Sequence, residues 1–290
     1  MAKIVFVNRY FYPDHSATSQ LLTDLAFALA RDGAEVHVVT SRQRYDDPGA
    51  RLSVAETSHG VRIHRVWTTR FGRGSLTGRA LDYISFYFGA ARRLFATIHA
   101  GDLVIAKTDP PLISVVAMAV VVLRGAVLIN WVQDMFPEVA EALGVKAARV
   151  VAPLLRRLRN ASLRIARNNV VLGERRAARL VEQGVTPDAV TVIHNWSDAT
   201  AIYPVAPQDN ALRDEWGLRG KFVVGYSGNM GRAHEFATLL DAAQRLRDDS
   251  DIVFVFIGAG AQRAAIEEEV RRRSLSNILF QPYQPRERLA

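Results

Sequence analysis

The chain has 290 residues, of which 49% are apolar and none is cysteine. This length exceeds one typical domain and suits two, while the lack of cysteine excludes disulfide bonds and thiolate metal sites. The formal net charge of +8 indicates phosphorylated ligands, anionic membranes or nucleic acid as partners, or it reflects only a general preference of the sequence for arginine.

The first two-thirds of the chain alternates strand-length apolar runs with helical patterns. A strand at 4–8 precedes an amphipathic helix at 18–31, which Gly33 is placed to end. A long aromatic helix is predicted at 78–99. The other predicted strands of this part are 35–40, 61–67, 103–107, 126–132, 169–172 and 190–194. Such alternation is typical of a parallel sheet covered by helices on both faces.

The segment 112–132 nearly reaches the length of a bilayer span and contains Arg124 as its only charge. Gly125 divides this segment into one part of helix length and one of strand length. We therefore predict a buried helix at 112–123 and a buried parallel strand at 126–132 instead of a transmembrane helix.

The segment 197–207 has the polar, proline-containing composition of a linker, and the alternation resumes after it. Strands are predicted at 222–226, 252–257 and 278–280, with helices at 235–246 and 262–273. We expect a first domain at 1–196 and a second at 197–290. Three strands and two helices make about half of a doubly wound domain, so we expect the second domain to be incomplete.

Ligands of parallel sheets bind at the carboxyl ends of the strands, and the loop at 9–19 after the first strand contains no glycine. This argues strongly against the G-x-G-x-x-G site of NAD or FAD. Ser16 lies in that loop, where its hydroxyl can either hold an anion at a helix N-terminus or simply cap the helix.

Three carboxylates follow later strands of the first domain. Asp109 comes after the strand at 103–107, where it can orient a sugar hydroxyl, take a proton or cap a helix. Asp134 and Glu138 flank an aromatic residue after the strand at 126–132, an arrangement that suits sugar binding. The alternative for this pair is a helix N-cap and a first-turn acid.

Two glycine-containing turns follow strands of the second domain. The first contains Gly228, Asn229, Gly231 and Arg232, and the second contains Gly258 and Gly260. Glycine lets backbone approach a ligand closely, and arginine binds phosphate in a bidentate manner. The alternative for the second turn is a tight turn with close helix packing. We predict no metal site, because no acidic or histidine cluster has metal-ligand spacing, and His37, His59, His64 and His99 fit structural or solvated positions.

Basic residues alternate with apolar ones at 154–167, which suits contact with anionic lipid or, alternatively, a solvated helix face. The long aromatic helix at 78–99, which contains Tyr83, Phe86, Tyr87 and Phe88, is a second element that suits contact with lipid. Neither recognition helix nor aromatic-and-basic platform stands out, so nucleic acid is not an expected partner. The N-terminus lacks the pattern of a signal peptide, which predicts a cytoplasmic protein, with peripheral contact at the inner face of the cell membrane as a further hypothesis.

Six stretches of the sequence, spread over essentially the whole chain, resemble glycosyltransferase family 4. They are residues 11–13, 32–40, 131–138, 192–195, 224–232 and 256–260. The resemblance implies a GT-B fold of two Rossmann-like, doubly wound parallel-sheet domains and a retaining, metal-independent transfer. The substrates it implies are a nucleoside-diphosphate sugar, which serves as donor and not as a cofactor, and a glycan or lipid-linked acceptor of cell-surface polysaccharide assembly.

The resemblance also implies roles for individual residues. Arg232 falls at the family's phosphate-binding arginine, and Gly228 and Gly231 fall in the turn beneath the phosphates, together with Asn229. Gly258 and Gly260 match a turn near the nucleoside, and the Ser16 loop closes toward the phosphates. Asp109 takes a catalytic place near the transferred sugar, and Asp134 and Glu138 face the acceptor.

The sequence departs from the family pattern at three places. His15-Ser16-Ala17 replaces the usual glycine pair, and Ala237 replaces a lysine, a role for which His234 is a candidate substitute. The family's donor-sugar glutamate pair belongs to a part of the second domain that the sequence does not include. The resemblance makes a hexosyltransferase the first hypothesis, with a nucleotide-sugar epimerase as an alternative. The missing glutamate pair supports a further alternative, a non-catalytic nucleotide-binding remnant.

Overall fold

The computed structural model describes residues 2–45, 47, 49–72, 75–142, 144, 146–199 and 201–288. These residues form two compact units, Met1–Trp196 and Ser197–Ala290. Each unit is built on a mainly parallel sheet with helices, as the alternation of patterns predicts. The β-strands lie within one or two residues of their predicted bounds, with one exception in the first unit.

The first unit contains an eight-stranded sheet. Its strands are β1 (Ile4–Val7), β2 (Val36–Ser41), β3 (Ala55–Ser58), β4 (Val61–Val66), β5 (Leu103–Ala106), β6 (Val127–Val132), β7 (Asn168–Val171) and β8 (Val190–Val192). Their order is β3-β4-β2-β1-β5-β6-β7-β8, and every neighbouring pair except β3–β4 is parallel. The carboxyl ends of β1, β5 and β6 therefore lie side by side.

Strand β3 is the strand of the first unit that the sequence patterns miss. It pairs antiparallel with β4 at the edge of the sheet, and its residues alternate between exposed and half-buried. The strand consists of Ala, Glu, Thr and Ser, so it lacks the apolar alternation that identifies a half-buried strand.

The helices of the first unit are α1 (Ala17–Arg31), α2 (Leu76–Thr97), α3 (Ile113–Arg124), α4 (Glu138–Ala142), α5 (Lys146–Ile165) and α6 (Glu174–Glu182). Helix α1 ends as predicted, with Gly33 at φ +91° donating its N–H to Ala30. The apolar run at 112–132 is confirmed as a helix and a strand, separated by Gly125 at φ +67°. Among the described residues, no helix is both long and apolar enough to cross a membrane.

The helices cover the two faces of the first sheet with separate cores. Helices α2 and α3 pack on one face, where Phe86, Leu94 and Ile113 are fully buried against β1 and β5. Helix α5 packs beside α3 in the same layer. Helix α1 covers the other face through Leu22 and Ala26. Burial of large apolar side chains on both faces accounts for the continuous apolar runs of the central strands.

The second unit contains the parallel strands β9 (Phe222–Ser227), β10 (Ile252–Ile257) and β11 (Ile278–Gln281), in the order β11-β10-β9. Its helices are α7 (Ala211–Glu215), α8 (Ala237–Arg245) and α9 (Arg263–Arg272). The core joins Phe254 and Phe256 of β10 to Leu240 of α8 and Ile266 of α9.

Candidate functional site

The two glycine turns of the second unit pack directly on each other at the carboxyl edge of its sheet. Gly228 donates its N–H to Ile257 at 2.9 Å, and Met230 donates to Ala259 at 2.8 Å. A Cβ atom on Gly258 would lie 2.1 Å from the carbonyl oxygen of Gly228, and one on Gly260 would lie 2.5 Å from that of Met230. Both positions therefore require glycine because the two turns pack backbone against backbone, and not because of the helix packing considered as the alternative.

Arg232 lies at the end of the first glycine turn with its side chain exposed. Its guanidinium forms no hydrogen bond or ion pair with any residue that the structure describes. Asn229, also exposed, lies in the same turn, where Gly231 donates its N–H to the Asn229 carbonyl at 2.8 Å. The turn thus presents an exposed cation at the place where parallel sheets bind ligands, whereas the N–H groups of Gly228, Met230 and Gly231 bond within the protein.

Tyr226 fixes the shape of this turn, a role that the sequence patterns do not reveal. Its hydroxyl donates to the Asn229 carbonyl oxygen at 2.8 Å and lies 2.6 Å from Nδ1 of His234. Burial, followed by the proximity of Tyr283, raises the pKa of the Tyr226 hydroxyl. The hydroxyl is therefore neutral near pH 7, and the contact with Tyr226 orients the ring of His234.

In the first unit, Ser16 follows β1 and lies immediately before α1. Its N–H and its hydroxyl both donate to Oδ1 of Asp14, at 2.8 and 2.5 Å, and its side chain forms no capping bond to the helix. Asp14 is buried and also accepts the N–H of Tyr45 at 2.5 Å. Asp14 therefore organises this loop, although the sequence patterns single out only Ser16.

Asp109 follows β5, and its carbonyl oxygen accepts the N–H of Arg9 at 2.7 Å. Helix α3 has Leu112 at its N-cap, so Asp109 does not cap it. The neighbouring Lys107 is 1% exposed, and its Nζ donates to the Thr18 carbonyl oxygen at 2.5 Å and lies 4.0 Å from the Trp131 ring centroid. Burial lowers the pKa of Lys107 to about 7, although the charge of Asp109 opposes this shift.

Asp134 and Glu138 follow β6 but have different surroundings. Asp134 is exposed, and no ion pair or hydrogen bond joins its carboxylate to another described residue. Glu138 is the first residue of α4 and accepts two hydrogen bonds of 3.0 Å from Arg159 of α5. Burial by itself raises the pKa of Glu138, but the bonds from Arg159 and the charge of Arg156 outweigh it and hold the pKa below its usual value.

A buried ion pair shapes a further loop at the same edge. Arg9 lies 3.4 Å from Asp82 of α2, which also accepts the hydroxyl of Thr69 at 2.7 Å and the N–H groups of Phe71 and Gly72 at 3.0 Å. Two shielded polar atoms, Oδ1 of Asn8 and Nε2 of Gln133, have no partner within the described part of the chain. Atoms of this kind at a sheet edge are suited to contact a polar ligand.

His37 and His64 take structural positions, whereas His59 and His99 are exposed. Nδ1 of His37 lies 3.0 Å from Nε2 of His64, and Glu35 lies 3.0 Å from the other ring nitrogen of His37. Burial, followed by the charge of His37, lowers the pKa of His64 to about 4. The described residues include no group of three or more acidic or histidine side chains placed to hold a metal ion.

Most of the chain aligns with known proteins. Residues 18–196 match the family described as a glycosyl transferase 4-like domain. A probable glycosyltransferase of Pseudomonas aeruginosa, WbjE, is 30% identical over 214 residues, which are 70% of this chain and 52% of WbjE. The chain thus spans about half the length of this relative.

A second relative and a solved structure are also similar to this chain. A putative colanic acid biosynthesis glycosyl transferase of Escherichia coli K12, WcaI, is 34% identical over 108 residues, or 37% of this chain and 26% of WcaI. The crystal structure of Anabaena HepE with UDP and glucose covers 99% of this chain and 70% of its own, with a TM-score of 0.67 at 15% identity. At that identity the likeness shows the fold, which is the GT-B type of α/β protein.

Proposed function

Because this chain belongs to the glycosyl transferase 4-like family, we propose that it acts in the retaining transfer of a hexose from a nucleoside diphosphate to an acceptor. The acceptor is a glycan or a lipid-linked saccharide of cell-surface polysaccharide assembly. The names of WbjE and WcaI and the nucleotide bound to HepE support this proposal. The first unit, residues 1–196, serves the acceptor, and the second, residues 197–290, serves the donor.

The exposed guanidinium of Arg232, at the end of a glycine turn, is the observation that carries the proposal. In the reaction, the acceptor oxygen forms a bond to the anomeric carbon and loses its proton. The bond between that carbon and the diphosphate oxygen breaks, and its electron pair leaves with the diphosphate. A fixed cation beside the departing oxygens stabilises the charge that develops there. Arg232 is suited to this because guanidinium binds phosphate oxygens in pairs and stays charged at every relevant pH.

The proposal assigns the other residues by their places. Gly228, Asn229 and Gly231 bring backbone close to the donor phosphates, and the turn with Gly258 and Gly260 supports them from behind. Ser16 contributes its loop to the donor side. Asp109 orients a hydroxyl of the transferred sugar or takes the proton that the acceptor hydroxyl releases. Asp134 contacts the acceptor, whereas Glu138 contributes to the acceptor side by holding α4 in place.

Contact with an anionic membrane is a second part of the proposal, and the charge pattern of one helix layer supports it. Helices α2, α3 and α5 carry three, one and six Lys or Arg residues, of which Arg156 and Arg159 of α5 are paired with acids of α4. Their only acidic residue, Asp82, is buried with Arg9. The outer side of this layer, here called the three-helix face, exposes large apolar residues, with Phe88 76% and Leu123 74% exposed. Its members are Leu81, Ile84, Phe88, Phe95, Val122, Leu123, Val151, Leu154, Leu158 and Ile165.

The donor site can be tested by titrating the chain with UDP and UDP-glucose in a calorimeter. We expect binding that Arg232→Ala weakens about 10- to 100-fold, the loss typical of a charge-assisted pair of hydrogen bonds. Arg245→Ala removes another exposed arginine of the second unit, the last residue of α8, and serves as the matched control. Equal affinities for the unmodified chain and Arg232→Ala contradict the assignment of Arg232.

The alternative functions can be separated by incubating the same samples with UDP-glucose, with and without an acceptor, and following the products by phosphorus and proton NMR. Transfer requires an acceptor, whereas an epimerase converts the donor sugar without one. A non-catalytic remnant binds the nucleotide and leaves the sugar unchanged in both conditions.

A further inference from the structure

A cleft of about 730 Å³ opens between α4 and α6 at the carboxyl edge of the first sheet. Met135, after β6, and Leu172, after β7, both line it, and these two strands are neighbours in the sheet. Val139 and Ala142 of α4 add further apolar surface. A cleft of this size accommodates an organic molecule rather than a single inorganic ion.

The α6 side of the cleft carries Arg175, Arg176 and Arg179. None of the three forms an ion pair or a hydrogen bond through its side chain within the described ranges of the chain. Nη1 of Arg176 is shielded from solvent and lacks a partner among those residues. A buried N–H donor without an acceptor is costly, so this group is placed to receive an acceptor from a ligand.

Two carboxylates also line the cleft, and their charges decide its overall sign. Glu138 is already neutralised by Arg159 and Arg156, which approach it from α5. Glu174 is the remaining acid, and it faces three arginines. The cleft therefore combines an excess of positive charge with an apolar lining. The N-terminus of α6, at Glu174, adds a dipole of the same sign.

We propose that this cleft binds the phosphate or diphosphate group of a long-chain alcohol, with the arginines on the phosphate oxygens and the hydrocarbon along Met135, Val139 and Leu172. Its identification with the carrier of the acceptor rests on the proposed function. A free inorganic phosphate leaves the apolar lining in contact with water, and an uncharged lipid leaves the arginines without counter-charge. An amphiphile with both parts satisfies both sets of groups.

Equilibrium dialysis of the full chain with radiolabelled farnesyl diphosphate, below the concentration at which it forms micelles, tests the cleft. We expect saturable binding that is at least 10-fold tighter than binding of inorganic pyrophosphate and of farnesol. Arg176→Gln and, separately, the more exposed Arg179→Gln each weaken it at least 10-fold. Arg31→Gln changes an exposed arginine at the end of α1 and should leave the affinity for farnesyl diphosphate unchanged.

The outcomes separate this inference from the proposed function. Affinity for pyrophosphate or farnesol equal to that for farnesyl diphosphate overturns the cleft proposal, as does unchanged binding by a folded Arg179→Gln chain. UDP binding, which depends on Arg232 in the second unit, is measured on the same samples. If UDP binds and farnesyl diphosphate does not, the cleft proposal alone fails. If farnesyl diphosphate binds and no nucleotide does, the proposed function alone fails.

Discussion

Lys107 and Thr18 lie 89 residues apart in the sequence, yet the Nζ atom of Lys107 donates to the Thr18 carbonyl oxygen at 2.5 Å. The ammonium is enclosed beneath the first turn of α1 and beside the ring of Trp131. This contact ties the start of α1, and with it the loop of Ser16, to the carboxyl end of β5. A buried amine at this place has consequences for stability that can be measured.

Lys107 makes the stability of the protein depend on pH above neutrality. Its pKa is about 7 in the folded chain and about 10.4 in an unfolded one. Between these values the unfolded chain binds the extra proton, so the free energy of unfolding rises as the pH rises. From pH 7 to pH 9 we expect a gain of about 2 kcal/mol from this group.

Urea unfolding of the full chain at the two pH values measures the gain. Lys107→Met keeps most of the side-chain volume and removes the titrating group. From pH 7 to pH 9, the free energy of unfolding of this variant should therefore rise by about 2 kcal/mol less than that of the unmodified chain. Lys221→Met, which changes a lysine of the second unit, should retain the full gain. An identical pH dependence in Lys107→Met and the unmodified chain is the result that contradicts this assignment.

Gly258→Ala should destabilise the second unit strongly. The new Cβ would lie 2.1 Å from a backbone oxygen of Gly228, at a position where φ is +132°. Strain and displacement together should cost about 3 kcal/mol or more. Gly225→Ala, in β9, has open space around the new atom and an ordinary φ, so it should change stability by less than about 1 kcal/mol. Thermal unfolding followed by circular dichroism compares the two, and equal effects would show that the two turns are not packed as described.

Glu138→Gln should act mainly by lowering the free energy of unfolding and only weakly on the affinity for the acceptor. Its carboxylate neutralises Arg159, whose side chain is 8% exposed, and its loss leaves that charge without a full partner. We expect a loss of about 2–4 kcal/mol in the free energy of unfolding. Asp134→Asn changes an exposed carboxylate and should leave stability nearly unchanged. If Asp134→Asn lowers the free energy of unfolding more than Glu138→Gln does, then Glu138 does not hold Arg159 and is free to contact the acceptor directly.

The three-helix face should bind anionic vesicles. In pelleting assays at low salt, we expect the chain to sediment with vesicles of 30 mol% phosphatidylglycerol and to be released at high salt, because exposed charges are screened. Phe88→Asp places an acid on α2, at the most exposed apolar residue named for this face, and should reduce sedimentation several-fold. Val54→Asp, at an exposed apolar position outside the three helices, should not. Equal sedimentation with neutral phosphatidylcholine vesicles, or none with anionic ones, would refute the membrane contact.

Much of the candidate site is predictable because it follows from strand order. Ser16, Asp109 and Asp134 each come after an apolar run, and parallel strands place such residues at one edge of the sheet. The structure adds their partners. The sequence patterns do not single out Asp14, Lys107, Arg9 or Asp82. The contacts of Asp14 with Tyr45, of Lys107 with Thr18 and of Arg9 with Asp82 join segments that are distant in sequence, by 73 residues in the last case. Local patterns contain no information about such contacts.

The sequence by itself determined most of the succession of strands and helices, because the period of buried apolar residues is a local property of the chain. It also placed both glycine turns and Arg232 at strand ends. Only the tertiary structure decided that Gly258 and Gly260 contact backbone, that Glu138 is held by Arg159 and that Lys107 is buried. The physical reason is that burial and neutralisation of a polar group depend on every segment packed around it, and those segments meet only when the chain folds.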